Sequence, residues 1–257
     1  MFLVKKLNKY LRERIRSIIP NAKSPIEIIA DYIFSEAIEG DYLEFGVFRG
    51  DSFVSAYQAM ENARNVWTST ERNLTAYSNE ERAKNSIVHF KNDMRYFAFD
   101  SFEGLPAIKG IDKNHARFSS GRYDCPENEF LSILKKNDID IGKVVTVAGW
   151  YEKTLTRDTK RKYDIRAASV IMVDCDLYES TRYVLDFITD IIVDGAVIIF
   201  DDWFNYRGHP ARGERRAAKE WLEKNPRIQL TDYHTYGPTQ KSFIINVMET
   251  ATDAHSR

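Results

Sequence analysis

Two aspartate pairs, Asp174 with Asp176 and Asp201 with Asp202, directly follow short apolar runs of the chain. If those runs are parallel strands of one sheet, their carboxyl ends lie at the same edge and the four carboxylates converge. Like charges within about 4–6 Å raise one another's pKa, so the convergence is unfavourable unless a cation compensates it. Hard carboxylate oxygens favour Mg²⁺, or Mn²⁺ or Ca²⁺ in its place, over zinc. Although a single aspartate at a strand end more often caps a helix or forms a turn, the two pairs together predict a metal site.

A second candidate site begins at an acidic residue inside an apolar run. Glu44 precedes a turn that contains Gly46 and Gly50, and these glycines would let the backbone approach a ligand closely. Neither the Gly-Lys-Ser/Thr of a Walker A motif nor a full G-x-G-x-x-G is present. Glu44 would repel a pyrophosphate, so it suits a ligand that carries an ammonium group. Asp100, at the end of the second apolar run, can accept hydrogen bonds from two ribose hydroxyls.

The elements that must position these residues follow from the same apolar runs. Five runs that are apolar throughout are typical of parallel strands with helices on both faces of the sheet. Two later runs, separated by a Tyr-Gly-Pro turn at 236–238, predict an antiparallel hairpin at one sheet edge. We therefore expect an α/β fold with a seven-stranded, mostly parallel sheet. The predicted strands are 41–47, 96–99, 144–147, 169–173, 196–200, 227–234 and 241–248, and the predicted helices are 24–38, 52–63, 126–136, 179–192 and 212–224.

The amino-terminal segment differs in charge from the rest of the chain. Residues 1–24 contain seven Lys or Arg and one acid, whereas the whole chain has a net charge of −1. Residues 2–19 carry apolar side chains at close to helical spacing, which predicts a basic amphipathic helix that ends at Pro20. Such a helix either rests on an anionic membrane or a partner, or packs on its own domain or a second subunit.

Composition excludes several classes of protein. The chain has 257 residues, 43% of them apolar and 29% charged, which is an ordinary globular balance. No apolar run approaches the roughly 20 residues that span a bilayer, and the start lacks the features of a secretory signal. Only two cysteines, Cys125 and Cys175, are present, so neither a disulfide framework nor a cysteine zinc site is expected. We therefore expect a cytoplasmic location. The body is not basic, which argues against nucleic acid as a partner.

Four segments resemble the macrocin O-methyltransferase family. The more specific two read Phe-Asp-Ser-Phe-Glu-Gly-Leu-Pro over 99–106 and Asp-Cys-Asp-Leu-Tyr-Glu-Ser-Thr over 174–181, and the others cover 44–50 and 195–202. The resemblance implies a class I, Rossmann-like methyltransferase domain over 41–250, preceded by a helical arm over 1–40. It also implies dependence on S-adenosylmethionine and Mg²⁺, and methylation of a sugar hydroxyl on a small molecule or glycan.

Carried over by position, the resemblance also implies roles for individual residues. Asp174, Asp201 and Asp202 would hold the metal, and Asp176 would act as general base. The residues implied around the cofactor are Glu44, Phe45, Gly46, Val47, Gly50, Ser52, Asp100, Ser101, Phe102, Gly149 and Trp150.

The chain also departs from the family pattern. Residues 64–93 intervene between the first two motifs and are expected to form a helical insertion, either a lid or oligomer contact or an exposed excursion. Asp51 stands where a second glycine is common. We expect a homo-oligomer, although its order does not follow from these motifs.

Several alternatives remain open at this stage. His209, on a polar loop, is a second candidate base, and Arg212, Arg215 and Arg216 either attract an anionic sugar nucleotide or form a solvated helix face. The acceptor could instead be a catechol-like phenol. A metal-dependent phosphoester hydrolase would also use clustered aspartates but would not account for Glu44 and Asp100. A non-enzymatic binding module would not need the full set of carboxylates.

Overall fold

The computed structural model describes residues 23–75, 93–113 and 118–248. The predicted basic helix over 2–19 and the helical pattern at about 79–91 lie outside these residues.

The described residues form one seven-stranded sheet with the order β3-β2-β1-β4-β5-β7-β6. Strands β1 to β5 pair in parallel, and β7 pairs antiparallel with both β5 and β6. The predicted α/β class with a carboxyl-terminal hairpin is therefore confirmed. The strands are β1 Asp41–Phe45, β2 Tyr96–Asp100, β3 Val144–Ala148, β4 Ala168–Val173, β5 Ile192–Phe200, β6 Ile228–Tyr236 and β7 Gln240–Val247.

The strand order reverses between β1 and β4, which places a crevice at their carboxyl ends. From β1 the chain proceeds outward to β2 and β3, and then returns to the other side of β1 for β4 and β5. Connections therefore diverge from this point on opposite faces of the sheet. Ligands of open parallel sheets bind at such a reversal.

Helices cover both faces of the sheet. They are α1 Pro25–Ser35, α2 Asp51–Thr75, α3 Glu127–Lys136, α4 Tyr151–Thr154, α5 Arg157–Tyr163, α6 Tyr178–Ile188, α7 Asn205–Gly208 and α8 Gly213–Lys224. Within the described ranges, none of these helices has both the length and the apolar character of a membrane span.

The helix bounds differ from the predicted ones at several places, and α1 already ends at Ser35 rather than 38. Helix α2 continues to Thr75 instead of ending near residue 63, because no Gly or Pro interrupts it. The first part of the predicted insertion, 64–75, is thus an extension of α2. Helix α6 ends at Ile188 rather than 192. The short helices α4, α5 and α7 were not predicted because each spans two turns or less, too few for a periodic pattern.

Alternate residues of the central strands enter two separate cores. Tyr42, Tyr96 and Val170 pack with α1, α2 and α3 on one face. Their neighbours in sequence, such as Leu43, pack with α6 and α8 on the other face. Because both faces are dry, the strands need apolar residues at every position, which explains the continuous apolar runs.

One ion pair ties the amino-terminal ends of β1 and β2 to the loop before β4. The Arg95 guanidinium donates to both carboxylate oxygens of Asp41, at 2.6 Å and 3.2 Å. It also donates to the backbone oxygens of Tyr163 and Asp164, at 2.8 Å and 2.9 Å. The planar guanidinium group thus forms four directional hydrogen bonds, and the ammonium group of a lysine cannot reproduce this geometry.

We expect Arg95→Lys to lower the free energy of unfolding by about 2 kcal/mol, because charge-assisted bonds to Asp41 and the two carbonyl groups are lost. Urea denaturation followed by circular dichroism measures the change. Arg166→Lys is the matched control, because Arg166 pairs with Asp164 in full solvent and should leave stability unchanged. An equal effect of both substitutions would contradict the importance of the Arg95 geometry.

Candidate active site

A cavity of about 1090 Å³ opens at the carboxyl ends of the parallel strands. Each parallel strand contributes to its wall: Gly46 follows β1, Asp100 ends β2, Gly149 follows β3, Asp174 follows β4 and Asp201 follows β5. The volume lies at the upper end of small-molecule sites, which leaves room for two ligands side by side.

The turn after β1 is held by the protein itself. Gly46 has a φ of +91°, and a Cβ atom there would overlap the carbonyl oxygen of Asp174. At Gly50, with a φ of +79°, a Cβ atom would lie 2.9 Å from the ring of Phe130. Both glycines are thus required by contacts within the chain. These contacts account for the glycines without a ligand, and the expectation that they let a ligand approach the backbone stays a prediction.

Asp100 fastens this turn to the end of β2. Its Oδ2 accepts from the backbone amides of Val47 and Phe48, at 2.8 Å and 3.2 Å. Its Oδ1 accepts from the amide of Phe102 at 2.8 Å. A carboxylate has about four acceptor positions, so three are in use and the carboxylate cannot rotate.

Glu44 lies beneath the turn and is fully buried. Ser52 Oγ donates to its Oε1 at 2.6 Å, and the Tyr42 hydroxyl donates to its Oε2. Burial raises the pKa of Glu44 to about 7, despite these hydrogen bonds, which lower it. Glu44 therefore joins β1 to the first turn of α2 and does not reach the cavity wall.

The predicted cofactor residues divide into two groups. Gly46, Asp100, Ser101, Gly149 and Trp150 line the cavity. The others lie behind the wall, where they shape the turn and the strand ends; they are Glu44, Phe45, Val47, Gly50, Ser52 and Phe102.

Three carboxylates meet at the ends of β4 and β5. Asp174, Asp176 and Asp202 each offer an oxygen atom, and these atoms lie within 4.8 Å of one another. We call these three residues the acidic cluster. Asp201, which was expected among the metal ligands, also lines the cavity, but its Oδ1 accepts a hydrogen bond from Gln240. The residue found in the cluster instead is Asp176, whose backbone has a left-handed φ of 64°.

The electrostatics of the acidic cluster fit a hard divalent cation. Burial raises the pKa of Asp174 well above its usual range, and the charges of Asp201 and Asp202 add to the effect. Burial also raises the pKa of Asp176, and the charges of Asp202 and Asp174 add to the effect. The Oδ2 atom of Asp202 is buried without a hydrogen-bond partner among the described residues. A cation would satisfy this oxygen and remove the repulsion.

A loop that the sequence motifs cover only up to residue 106 forms another wall. Residues 101–113 and 118–123 contribute to the cavity lining and are joined by hydrogen bonds between Leu105 and the backbone of Gly121 and Arg122. Asp112 fixes the end of the segment 101–113, because its Oδ1 accepts hydrogen bonds from the Tyr178 amide and the Tyr206 hydroxyl, both at 3.2 Å. Nothing in the local sequence distinguishes Asp112 from an exposed loop aspartate, since both partners are distant in the chain.

His209 and the three arginines that follow it lie outside the cavity wall. The His209 ring is exposed, and its Nδ1 accepts from the Ala211 amide at 3.1 Å. Arg215 covers the Trp203 ring and donates to the backbone of Gly208. Arg216 pairs with Glu220 at 2.8 Å.

Three residues of the motif at 174–181 either have structural partners or line the cavity. The Tyr178 hydroxyl donates to Glu220 at 2.6 Å. Burial raises the pKa of the Cys175 thiol well above its usual range, so this cysteine is inert. Glu179 lines the cavity.

We expect Glu44→Gln to flatten the dependence of stability on pH between about 4.5 and 7. The folded pKa of Glu44 is raised to about 7, so the folded state holds a proton that the unfolded state releases. Stability from this group is therefore present at low pH and is lost as pH rises, by about 3 kcal/mol across the range. The amide oxygen can accept from one of the two hydroxyls and the amide nitrogen can donate to the oxygen of the other, without a buried charge. Thermal unfolding of both proteins from pH 4.5 to 8 measures the difference, and parallel curves would refute this role of Glu44.

The chain is similar to known O-methyltransferases. The model of the macrocin O-methyltransferase (TylF) family matches residues 85–226. A curated relative from Streptomyces olivaceus, 8-demethyl-8-(2,3-dimethoxy-alpha-L-rhamnosyl)-tetracenomycin-C 4'-O-methyltransferase, is 23% identical over 189 residues. The match covers 69% of this chain and 58% of that relative, so the chain spans little more than half of the relative's length.

Solved structures share the fold. The O-methyltransferase NovP has a TM-score of 0.60 at 18% identity, covering 87% of this chain and 78% of NovP. The calicheamicin methyltransferase CalS11 has a TM-score of 0.60 at 19% identity, covering 94% and 84%. An O-methyltransferase from Bacillus cereus in complex with SAH has a TM-score of 0.51 at 14% identity, covering 95% and 91%.

The resemblance drawn from the four sequence motifs is confirmed by these comparisons. Because the family model spans more than half of the chain, the protein belongs to the macrocin O-methyltransferase family.

Proposed function

We propose that the protein is an S-adenosylmethionine-dependent and divalent-metal-dependent O-methyltransferase that acts on a sugar hydroxyl of a glycan or glycosylated metabolite. The observation that carries the proposal is that one cavity joins the crevice between β1 and β4 to the acidic cluster. Family membership and the name of the curated relative, a methyltransferase of a rhamnosyl group, support the sugar acceptor.

The half of the cavity beside β1 to β3 would hold the cofactor. S-adenosylmethionine, when bound, supplies the methyl group on its sulfonium. We assign the cofactor surface to Gly46, Asp100, Ser101, Gly149 and Trp150, which line this half. Asp100 has about one acceptor position left after its three amide bonds, which suits a single ribose hydroxyl.

Glu44 would support the cofactor site from below, rather than contact a ligand. Its hydrogen bonds to Ser52 and Tyr42 fix the start of α2 beneath the turn.

The half beside β4 and β5 would hold the cation and the reacting hydroxyl. A divalent cation, when bound, lowers the pKa of a coordinated hydroxyl and orients it. Asp174 and Asp202 lie in the acidic cluster, and we propose both as ligands, with Asp201 as the third. Asp176 then remains as the general base. Its carboxylate lies within 4.8 Å of the Asp174 and Asp202 carboxylates, which would place it within reach of a hydroxyl held at the cation.

The acceptor would lie against the first turns of α6. Glu179, Ser180 and Tyr183 share one helix face, line the cavity and follow Asp176 closely in the chain. The Tyr183 ring is 43% exposed and lines the cavity. A sugar could place its C–H face on this ring and its hydroxyls towards Glu179 and Ser180.

The cavity wall favours an uncharged acceptor. Among the described residues that line it, the cations are Lys109 and Lys153. The carboxylates that line it number nine, namely Asp100, Glu103, Asp112, Glu152, Asp174, Asp176, Glu179, Asp201 and Asp202. Because the arginines of α8 lie outside the wall, no described cluster of positive charge compensates a diphosphate. We therefore propose a neutral glycoside rather than a sugar nucleotide.

The proposal is tested first by calorimetric titration with S-adenosylmethionine and S-adenosylhomocysteine, with and without Mg²⁺. Micromolar binding supports the cofactor assignment. Absence of binding under both conditions would overturn the methyltransferase proposal.

We expect Asp176→Asn to fold and to bind S-adenosylhomocysteine as the unsubstituted protein does, but to lose about 10²- to 10⁴-fold in kcat, because the proton acceptor is lost. Turnover is measured with methyl α-L-rhamnoside as acceptor. Asp186→Asn, on the exposed side of α6, serves as control and should retain full activity. Near-normal turnover of Asp176→Asn would rule out Asp176 as the base.

We further expect kcat/KM for methyl α-L-rhamnoside to exceed that for the same sugar on a nucleoside diphosphate by at least about 10-fold at low salt, because the acidic wall repels phosphate. The ratio should fall as salt screens the wall, and Glu179→Gln should reduce it. A preference for the nucleotide sugar at every salt concentration would contradict the neutral acceptor.

A further inference from the structure

Glu214 is a buried acid that the proposed chemistry does not use. It lies in the first turn of α8 and is only 1% exposed. Its Oε2 accepts from the backbone amide of Asp202 at 3.0 Å. Glu214 therefore directly contacts Asp202, which follows β5 and lines the cavity.

The position of this acid is energetically unfavourable. Glu214 is buried against the main chain of Asp202, and a carboxylate is costly to bury without a cationic partner. The amino terminus of α8 offsets part of the cost. The hydrogen bond that Glu214 accepts from the Asp202 amide requires a side chain with an acceptor oxygen at this position.

Asp202 is held from two sides. Glu214 binds its main chain, and the Asn205 side-chain amide donates to its Oδ1. The Asn205 backbone amide also donates to the Asp202 carbonyl at 2.9 Å, which closes the turn after β5. Both the backbone and the carboxylate of Asp202 are thus fixed before any ligand arrives.

Three acceptor atoms of this group have no hydrogen-bond partner in the described part of the chain. They are Asp202 Oδ2, Asn205 Oδ1 and Glu214 Oε1, and all are buried. Unsatisfied buried acceptors are rare and costly. Their gathering around one residue of the acidic cluster indicates that the group is arranged for a positive ligand beside Asp202.

We infer that Glu214 is a positioning residue that orients Asp202 towards the cation, with Asn205 as its partner on the other side. The inference rests on the proposed function, since it assigns Asp202 to the cation. Groups that hydrogen-bond to metal ligands typically change metal affinity by 10- to 100-fold when they are removed.

The test is a titration of the full chain with Mn²⁺ alone, followed by calorimetry and by electron paramagnetic resonance of the free ion. Glu214→Leu should weaken Mn²⁺ binding by about 10- to 100-fold, because the Asp202 amide loses its acceptor. Glu214→Gln keeps an acceptor oxygen and should stay within about threefold of the unsubstituted protein. Glu223→Gln, exposed on the same helix, is the control and should not change affinity.

The outcomes separate this inference from the proposed function. If the unsubstituted protein binds no Mn²⁺, the proposed metal dependence fails, and the positioning role fails with it. If it binds Mn²⁺ and Glu214→Leu binds equally well, only the positioning role is overturned. Equal losses in Glu214→Leu and Glu214→Gln would assign the effect to charge and would also overturn the role.

A second variant covers the case in which Glu214→Leu does not fold. Asn205→Ala removes the bond to Asp202 Oδ1 and should weaken Mn²⁺ binding in the same range. Unchanged affinity of a folded Asn205→Ala protein would overturn the paired arrangement.

Discussion

Repulsion among buried carboxylates at the end of β4 and β5 is the constraint on which the rest of the site depends. Asp174, Asp176 and Asp202 bring their oxygens within 4.8 Å of one another, and Glu214 adds a fourth acid behind them. A fold gains no stability from such an arrangement. The apolar cores on both faces of the sheet must supply the stability that holds these groups together.

The close approach of β1 and β4 makes the second half of the site. The turn at Gly46 passes so near the Asp174 carbonyl that no side chain fits between them. Asp100 and Glu44 then hold this turn from two sides, one at the wall of the cavity and one beneath it. The contact between Gly46 and the Asp174 carbonyl therefore also places the crevice beside the acidic cluster. The proposed cofactor site and the proposed cation site share this contact, so they cannot move independently.

Residues of the same chemical type serve different purposes in this protein. Asp100 and Asp112 use their carboxylates mainly to bind backbone amides or a hydroxyl, and so fix loops. Asp174 and Asp176 have few such partners and retain strong mutual repulsion. This contrast, rather than the number of acids, distinguishes a loop-fixing carboxylate from one available for a cation or a proton.

The sequence by itself determined the elements that carry these groups. Continuous apolar runs identified the parallel strands, because strands buried on both faces need apolar residues at every position. The motifs at 99–106 and 174–181 identified the family, and the positions of Asp174, Asp176, Asp201 and Asp202 directly after strands placed them at one edge of the sheet. Local sequence is sufficient for these features, because each depends on residues that are neighbours in the chain.

Only the tertiary structure decided how the acids are used. Asp176 joins the acidic cluster while Asp201 accepts from Gln240, a residue of the terminal hairpin far along the chain. Glu44 points into a buried network instead of the cavity, and Glu214 reaches Asp202 from a separate helix. These roles depend on side-chain direction and on partners distant in sequence, and a periodic pattern of apolar residues contains no information about either.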